Sequence, residues 1–242
     1  MIKKSRYSKP RKKHALSITN VLRNSLLFFV ASSVIIVSVL RFLPAPTSAF
    51  MLYRHYEDLV DDLTYRSIEY QWISAKNIPS NAVNAVIASE DQQFYHHFGF
   101  DLHSIRAALS AHLIGGRHLR GASTISQQVA KNLFLTPSKS FIRKGLEVWF
   151  TLLIEIMWSK ERIVAVYLNI AEFGDHLFGI EAASQHYFGT SAKNITRSQA
   201  AILAATLPNP LRLRAANPSN YVIKRQNWIL RQMQNLQGPD NS

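Results

Sequence analysis

The pattern of apolar and polar residues divides the chain into one long apolar run and a series of amphipathic segments. Residues 24–40 (NSLLFFVASSVIIVSVL) carry no charge, and Arg23 and Arg41 bound them. A membrane-spanning helix needs roughly 20 predominantly apolar residues, with a range of about 17 to 25. The pattern therefore predicts a transmembrane helix over residues 24–43, followed by a membrane-adjacent segment over residues 44–75.

From residue 76 onward, apolar residues recur at intervals of three and four, and strict alternation is scarce. Such spacing is typical of amphipathic helices, so we predict a mainly α fold. We find no internal repeat and no low-complexity tract. Residues 76–242 are therefore expected to form one helical domain that a single N-terminal helix tethers.

The positive charge of the chain is concentrated near its N-terminus. The formal net charge is +13, but nine of the 28 basic residues and none of the 15 acidic residues fall within residues 1–41. The rest of the chain is nearly balanced, with 19 basic against 15 acidic residues, which argues against a nucleic-acid partner. Because positive charge stays on the cytoplasmic side of a spanning helix, residues 1–23 are predicted to be a basic cytoplasmic tail.

A cleaved signal peptide is the alternative to an uncleaved membrane anchor. The basic region is long for a signal peptide, and Ser48-Ala49-Phe50 matches a small-residue cleavage site only weakly. These two observations favour the anchor.

Cysteine and histidine usage limits the metal chemistry of the chain. Cysteine is absent, which excludes disulfides and thiolate zinc sites. His96 and His97 are adjacent, so they cannot both face one metal from a regular helix, and no HExxH spacing occurs. We expect His97 instead to form hydrogen bonds that fix the loop after Glu90.

The first of three informative helices ends at Glu90. On a helical wheel Glu90 shares an arc of about 100° with Val83, Val86 and Ile87, whereas Asp91 begins to turn away. A carboxyl group on an apolar face is disfavoured in its charged form, which suits an acid/base catalyst. The alternative, favoured by position alone, is a helix-end glutamate that reaches solvent.

The second helix has an apolar stripe and a polar face opposite it. The stripe consists of Ile125, Val129 and Leu133. The polar face consists of Thr124, Gln127, Gln128 and Lys131. One interpretation is a solvated face that begins with a capping box, since Thr124 and Gln127 have that spacing. The other is a wall of hydrogen-bonding groups for a polyhydroxylated, anionic ligand, and both stay open at this point.

The third helix begins near Phe141 and carries two acidic residues of different placement. Its apolar arc consists of Leu146, Phe150, Leu153, Ile154 and Met157. Glu147 lies at the edge of that arc, and Glu155 is predicted on the far side. Arg143 stands four residues before Glu147, which predicts an ion pair. That pair is either a surface contact of little energetic value or part of a functional carboxylate and cation cluster.

Five blocks of sequence occur in a fixed order. The first is E-D-x-x-F-x-x-H-x-G, at Glu90, Asp91, Phe94, His97 and Gly99. The second is G-x-S-T-I-x-Q-Q-x-x-K-N, at Gly121, Ser123, Thr124, Ile125, Gln127, Gln128, Lys131 and Asn132. The third is R-K-x-x-E, at Arg143, Lys144 and Glu147. The fourth is KERIVAVYLNIAEFG (160–174), and the fifth is AAILAATLPNP (200–210).

Together these blocks resemble the family 51 glycosyltransferases, which polymerise peptidoglycan glycan strands from a lipid-linked disaccharide. The resemblance covers roughly residues 50–235. It implies a lysozyme-like, mainly α-helical catalytic domain with a smaller membrane-facing lobe. Only about thirty residues follow Pro210, so we expect a monofunctional enzyme rather than a bifunctional penicillin-binding protein.

The resemblance also implies surroundings for the enzyme. It places the protein in the bacterial inner (plasma) membrane as a single-pass protein, with the N-terminus cytoplasmic and the catalytic domain outside. The implied partners are lipid II, the nascent glycan strand and the membrane. Proteins of cell-wall synthesis or division, and a divalent cation (Mg²⁺ or Mn²⁺) as cofactor, are left open by the sequence.

The family's residue roles map onto this chain as follows. Glu90 is implied as the base that deprotonates the acceptor 4-hydroxyl, and Glu147 as a second, supporting carboxylate. The implied pyrophosphate contacts are Lys131, Arg143 and Lys144. The implied sugar-binding wall is Ser123, Thr124, Gln127 and Gln128, with Asn132 beside it. Lys139 stands where many members of the family have arginine, so a bidentate contact with pyrophosphate is in doubt there.

Two other functions remain as alternatives, a lysozyme-like enzyme that cleaves glycan and a non-catalytic envelope scaffold. A pyrophosphate leaving group needs nearby cations, whereas glycan cleavage does not. The basic cluster and the membrane helix therefore favour synthesis, and retention of both carboxylates argues against a scaffold. The basic cluster is Lys131, Lys139, Arg143 and Lys144.

Overall fold

The computed structural model describes residues 18–61, 64–103, 105–106, 110 and 123–236. Most of the predicted basic tail and Gly121 therefore lie outside the described residues. The described residues are mainly α-helical, as the sequence predicts. The helices are α1 (Ile18–Leu40), α2 (Ala49–Val60), α3 (Ser80–Glu90), α4 (Ile125–Phe134), α5 (Phe141–Met157), α6 (Lys160–Ile170), α7 (Ile180–Phe188), α8 (Arg197–Thr206) and α9 (Asn220–Leu236). Two short 3₁₀ helices span Ala75–Asn77 and Ala192–Asn194.

The chain forms two compact units, Met1–Ile36 and Val37–Ser242. Helix α1 has 23 residues and a mean hydropathy of 1.9 in its most apolar part, which is long and apolar enough to cross a membrane. It begins and ends earlier than the predicted range of 24–43. Its end at Leu40 follows from Pro44, because proline cannot continue a helix and disfavours helical geometry in the residue before it.

The core of the second unit is built where α4 packs against α5 and α6, and where α3 packs against α8 and α9. The predicted stripe of α4 is confirmed, since Ile125 and Val129 are fully buried and Leu133 is nearly so. Phe150 and Ile154 of α5 are also buried, and the other three residues of its predicted arc pack against the core. Helical periodicity therefore identified the core-facing sides of these two helices.

A small three-stranded sheet lies beside the helices. Its strands are β1 (Glu69–Tyr70), β2 (Glu172–Gly174) and β3 (Leu177–Phe178), in the order β1-β3-β2. Glu69 pairs with Leu177 in the parallel ladder, and Glu172 pairs with Phe178 in the antiparallel one. The sheet brings the residues that follow α6 against the residues that follow α2.

A buried charge cluster joins α2 to the β2–β3 turn. His176, at φ 62°, lies in that turn with its Nε2 3.0 Å from Asp58 Oδ2 and its Nδ1 2.8 Å from Asp175 Oδ1. The Arg66 backbone N–H donates to Asp58 Oδ2 at 3.0 Å. That hydrogen bond, followed by the neighbouring His176, lowers the pKa of Asp58 below its ordinary value despite burial.

Candidate active site

Glu90 lies at the C-terminal end of α3, and both of its carboxylate oxygens are held. Gln128 Nε2 donates to Glu90 Oε2 at 3.1 Å. Arg225 Nη2 lies 3.3 Å from Glu90 Oε1, to which Ser89 Oγ also donates at 2.9 Å. The Glu90 side chain remains 14% exposed, so a ligand can reach a carboxylate that is otherwise oriented by its neighbours. The alternative of a helix-end glutamate free in solvent does not fit these contacts.

Asp91, next in the chain, is the more buried of the two acids. His97 Nε2 lies 2.9 and 3.0 Å from its two oxygens, and the Ile125 backbone N–H donates to Oδ2 at 3.0 Å. The expectation that Asp91 turns away was therefore wrong, because the chain leaves the helix here and folds inward. Burial raises the pKa of Asp91, although the hydrogen bonds from His97 and Ile125 oppose the shift. The predicted role of His97 in fixing this loop is confirmed.

The other residues of the first block shape the same loop. Phe94 is fully buried, and Gly99 has a φ of +76°. A Cβ at Gly99 would lie 2.8 Å from Thr151 Cγ2, so the loop approaches α5 more closely than any side chain allows. The Thr124 hydroxyl donates to the Gly99 carbonyl at 2.7 Å. The loop after Glu90 is thus tied to the start of α4.

The predicted polar face of α4 serves two separate purposes. Thr124 and Gln127 form the capping box, with the Thr124 N–H donating to Gln127 Oε1 at 3.0 Å and the Gln127 N–H donating to Thr124 Oγ1 at 3.2 Å. Both residues are buried, so the capping-box spacing is confirmed but the solvated-face interpretation is wrong. Ser123 is exposed just before the helix. The remaining polar residues of the face point to a cleft.

A cleft of about 260 Å³ is lined by α4, α6, α2 and the turn after α8. Gln128 connects this cleft to Glu90, and its Oε1 accepts a hydrogen bond from the Tyr167 hydroxyl at 3.3 Å. Burial raises the pKa of Tyr167 well above its ordinary value, so its hydroxyl keeps the proton that it donates. The lining includes Phe50, Arg54, Gln128, Lys131, Asn132 and Tyr167.

Asn132 and Lys131 give the cleft polar groups that are available to a ligand. Asn132 Oδ1 is buried and has no hydrogen-bond partner within the described part of the chain. Lys131 Nζ lies 5.3 Å from the centroid of the Phe50 ring. Burial lowers the pKa of Lys131 below its ordinary value of 10.5, and Glu147 and Glu90 act against this shift. Lys131 therefore lies within electrostatic reach of both predicted carboxylates.

Glu147 on α5 is buried and is held by two cations. Arg143 Nη1 and Lys144 Nζ each donate to one of its carboxylate oxygens. The predicted ion pair with Arg143 is confirmed. It is not a surface contact, because the Glu147 side chain is only 4% exposed. Arg143 and Lys144 also act on the pKa of Lys131, which places the three cations near one another. Lys139 is exposed in the segment before α5.

Glu155, predicted on the far side of α5, is buried instead. It accepts hydrogen bonds from Ser126 Oγ and from Lys160 Nζ, the latter at 2.8 Å. Lys160 also donates to the His97 carbonyl at 2.7 Å and lies 4.7 Å from the centroid of the Phe94 ring. The helical wheel placed Glu155 wrongly because α4 and the loop after Glu90 cover a second side of α5.

Arg225 and the α2 residues Phe50 and Arg54 are site residues that the sequence did not single out. Arg225 comes from α9, beyond the fifth block, and no local pattern pairs it with Glu90. Arg54 donates to both oxygens of Glu172 at 2.8 Å and also to Glu57. Burial acts to lower the pKa of Arg54, but the hydrogen bonds and charges of these two glutamates outweigh it and raise the pKa. The aromatic residues that lie near Phe50 in the sequence are a signal that could have pointed to this wall of the cleft.

Comparison of the sequence with known proteins identifies the family of the chain. The model of the transglycosylase family matches residues 57–234. The chain is 49% identical over 219 residues to a biosynthetic peptidoglycan transglycosylase of Pseudomonas fluorescens, covering 90% of each chain. Proteins of the same name from Chromohalobacter salexigens and Haemophilus influenzae are 52% identical over 214 residues and 51% identical over 199 residues. The match to the Chromohalobacter salexigens protein covers 88% of this chain and 91% of that protein. The match to the Haemophilus influenzae protein covers 82% of this chain and 80% of that protein. On this match and these identities, the chain belongs to the transglycosylase family.

Proposed function

We propose that the protein polymerises peptidoglycan glycan strands by transferring the growing, lipid-pyrophosphate-linked chain to the 4-hydroxyl of lipid II. The observation that carries the proposal is the hydrogen bond between Glu90 and Gln128, because Gln128 lines the same cleft as Lys131. The reaction needs a base at one substrate and cations at the other; Glu90 adjoins the cleft through Gln128, and Lys131 lines it.

The base acts on the acceptor. The 4-hydroxyl of lipid II gives its proton to the Glu90 carboxylate as its oxygen attacks the anomeric carbon of the donor sugar. Gln128 and Arg225 hold the two Glu90 oxygens, so the carboxylate does not reorient during the step. Attack opposite to the leaving group inverts the anomeric carbon and produces a β-1,4 linkage.

The cations act on the donor. The bond between the anomeric carbon and the phosphate oxygen breaks, and its electron pair leaves on the lipid pyrophosphate. Lys131, Arg143 and Lys144 are the groups proposed to neutralise that charge. Glu147 binds Arg143 and Lys144 directly, so its role is to orient these cations rather than to exchange a proton.

The anchor fits this substrate. Lipid II stays in the membrane because of its long lipid tail, so tethering the enzyme to the same membrane raises the effective concentration of substrate. We propose a single-pass topology in the inner membrane, with the basic tail in the cytoplasm and the catalytic unit outside. C-terminal reporter fusions test it: alkaline phosphatase should be active and a cytoplasm-dependent fluorescent protein dark.

Polymerisation of purified lipid II by the detergent-solubilised protein tests the activity. We expect glycan strands from the parent, almost none from Glu90→Gln, and parental amounts from Glu161→Gln, a matched change at an exposed glutamate. Full activity of Glu90→Gln would remove Glu90 from the role of base. Cleavage of finished glycan without synthesis would favour the lysozyme-like alternative.

A further inference from the structure

Residues 37–45, which comprise the last turn of α1 and the residues that follow it, are bound by side chains of the catalytic unit, and we call them the exit segment. Trp158 Nε1 donates to the Val37 carbonyl at 2.9 Å. Arg162 Nη2 donates to the Leu40 carbonyl at 2.6 Å and also to the Leu43 carbonyl. The Tyr70 hydroxyl donates to the Ala45 carbonyl at 2.6 Å. All of these residues belong to the unit Val37–Ser242.

Arg162 is the centre of these contacts. Its Nε also reaches the Leu40 carbonyl, at 3.2 Å, and its guanidinium lies 5.2 Å from the Trp72 ring centroid and 5.8 Å from that of Trp158. Among the described residues it forms no ion pair, so its donors are directed at backbone carbonyls. The last carbonyls of a helix lack partners within the helix and carry its negative end, which a cation stabilises.

Helix α6 joins this contact to the chemistry. Arg162 stands near its start, and Tyr167, five residues on, donates to Gln128, which in turn donates to Glu90. One buried helix therefore carries both the group that binds the exit segment and the group that orients the Glu90 contact. Lysine at position 162 would keep the charge but not the planar fork that reaches two carbonyls.

We propose that Arg162 is a positioning residue for polymerisation: it holds the exit segment, through which the chain enters the catalytic unit, on α6. This inference rests on the proposed function, because a bound exit segment matters only when the substrate is itself held in the membrane. A substrate free in water can meet the cleft in any orientation, so it does not need the bound exit segment.

The test compares two substrates with the full-length protein in vesicles of defined phospholipid. One is lipid II embedded in the same vesicles, and the other is a short-chain, water-soluble analogue. We expect Arg162→Ala to lose about tenfold in rate on embedded lipid II, the equivalent of one charge-assisted hydrogen bond, and to stay near parental on the soluble analogue. Arg162→Lys should recover part of the loss.

Two further variants keep the test decisive. Trp158→Phe removes the indole N–H while keeping an aromatic ring, and it should show a smaller loss on the same substrate alone. Arg231→Ala, at an exposed arginine of α9, should leave both rates unchanged. Equal losses on both substrates, or none on either, would overturn the positioning role. A parent that polymerises neither substrate would instead overturn the proposed function and this inference with it.

Discussion

Arg225 Nη2 lies 3.3 Å from Glu90 Oε1, although 135 residues separate the two in the chain. The same nitrogen also donates to Ser89 Oγ at 2.9 Å, so α9 is joined to the last turn of α3. Glu90 is therefore oriented from two sides, by Gln128 of α4 and by Arg225.

We expect Arg225→Ala to reduce kcat by about tenfold with little change in KM, because it removes a contact that orients the base rather than one that binds substrate. The kcat of Arg225→Lys should lie between that of the parent and that of Arg225→Ala. Steady-state polymerisation of lipid II measures this, with Arg231→Ala on the same helix as the control. A change confined to KM would assign Arg225 to substrate binding instead.

The lowered pKa of Lys131 predicts an alkaline limit on substrate binding. The ammonium is present below its pKa and is lost as the pH rises through it, and that pKa lies below the ordinary 10.5. We expect KM to rise with pH in this range for the parent, and Lys131→Arg to remove the rise because arginine keeps its charge.

Lys139→Arg is the matched control for that experiment, since Lys139 is exposed. It should leave the alkaline limb in place, and it should keep or raise activity. A large loss of activity in Lys139→Arg would mean that the site is built around lysine at this position.

The buried contacts of Glu155 predict an effect of its substitution on the stability of the fold rather than on the reaction at Glu90. Its side chain is 3% exposed and pairs with Lys160, so Glu155→Ala leaves Lys160 without its counter-ion and the Ser126 hydroxyl without its acceptor. Breaking a buried pair in this way costs about 3 kcal/mol. Denaturant unfolding in detergent should show the loss, and Glu161→Ala, at an exposed glutamate, should not. Parental stability of Glu155→Ala would contradict the buried pair.

The lowered pKa of Asp58 predicts that the stability of the fold decreases at acidic pH. Its pKa is lowered in the folded state, so its contribution is present above the unfolded value near 3.8 and is lost as the pH falls through the folded value. Asp58→Asn should be less stable than the parent at neutral pH, and the difference should shrink below about pH 4. Thermal unfolding across pH measures this, with exposed Asp61→Asn as control. A difference that stays constant into acid would exclude the titration of Asp58 as its cause.

Local periodicity and block spacing predicted the parts of this molecule that local chemistry determines. The stripe of α4, the arc of α5, the capping box at Thr124 and the His97 contact all depend on residues close in sequence. Asp91 and Glu155 were misplaced because a wheel assigns one buried face, whereas both residues lie where a loop or second helix covers the chain again. Arg225 and Arg54 could not be found, since long-range packing alone brings them to the cleft.

The cleft wall formed by Phe50 and Arg54 has a consequence for selective inhibition. Both residues precede residue 57, where the match to the transglycosylase family begins, yet they line the same cleft as Lys131 and Tyr167. A compound that binds only the matched part of the cleft would address features that the family model describes. A compound extended to stack on Phe50 and accept a hydrogen bond from Arg54 would also use a wall of the cleft that lies outside that match.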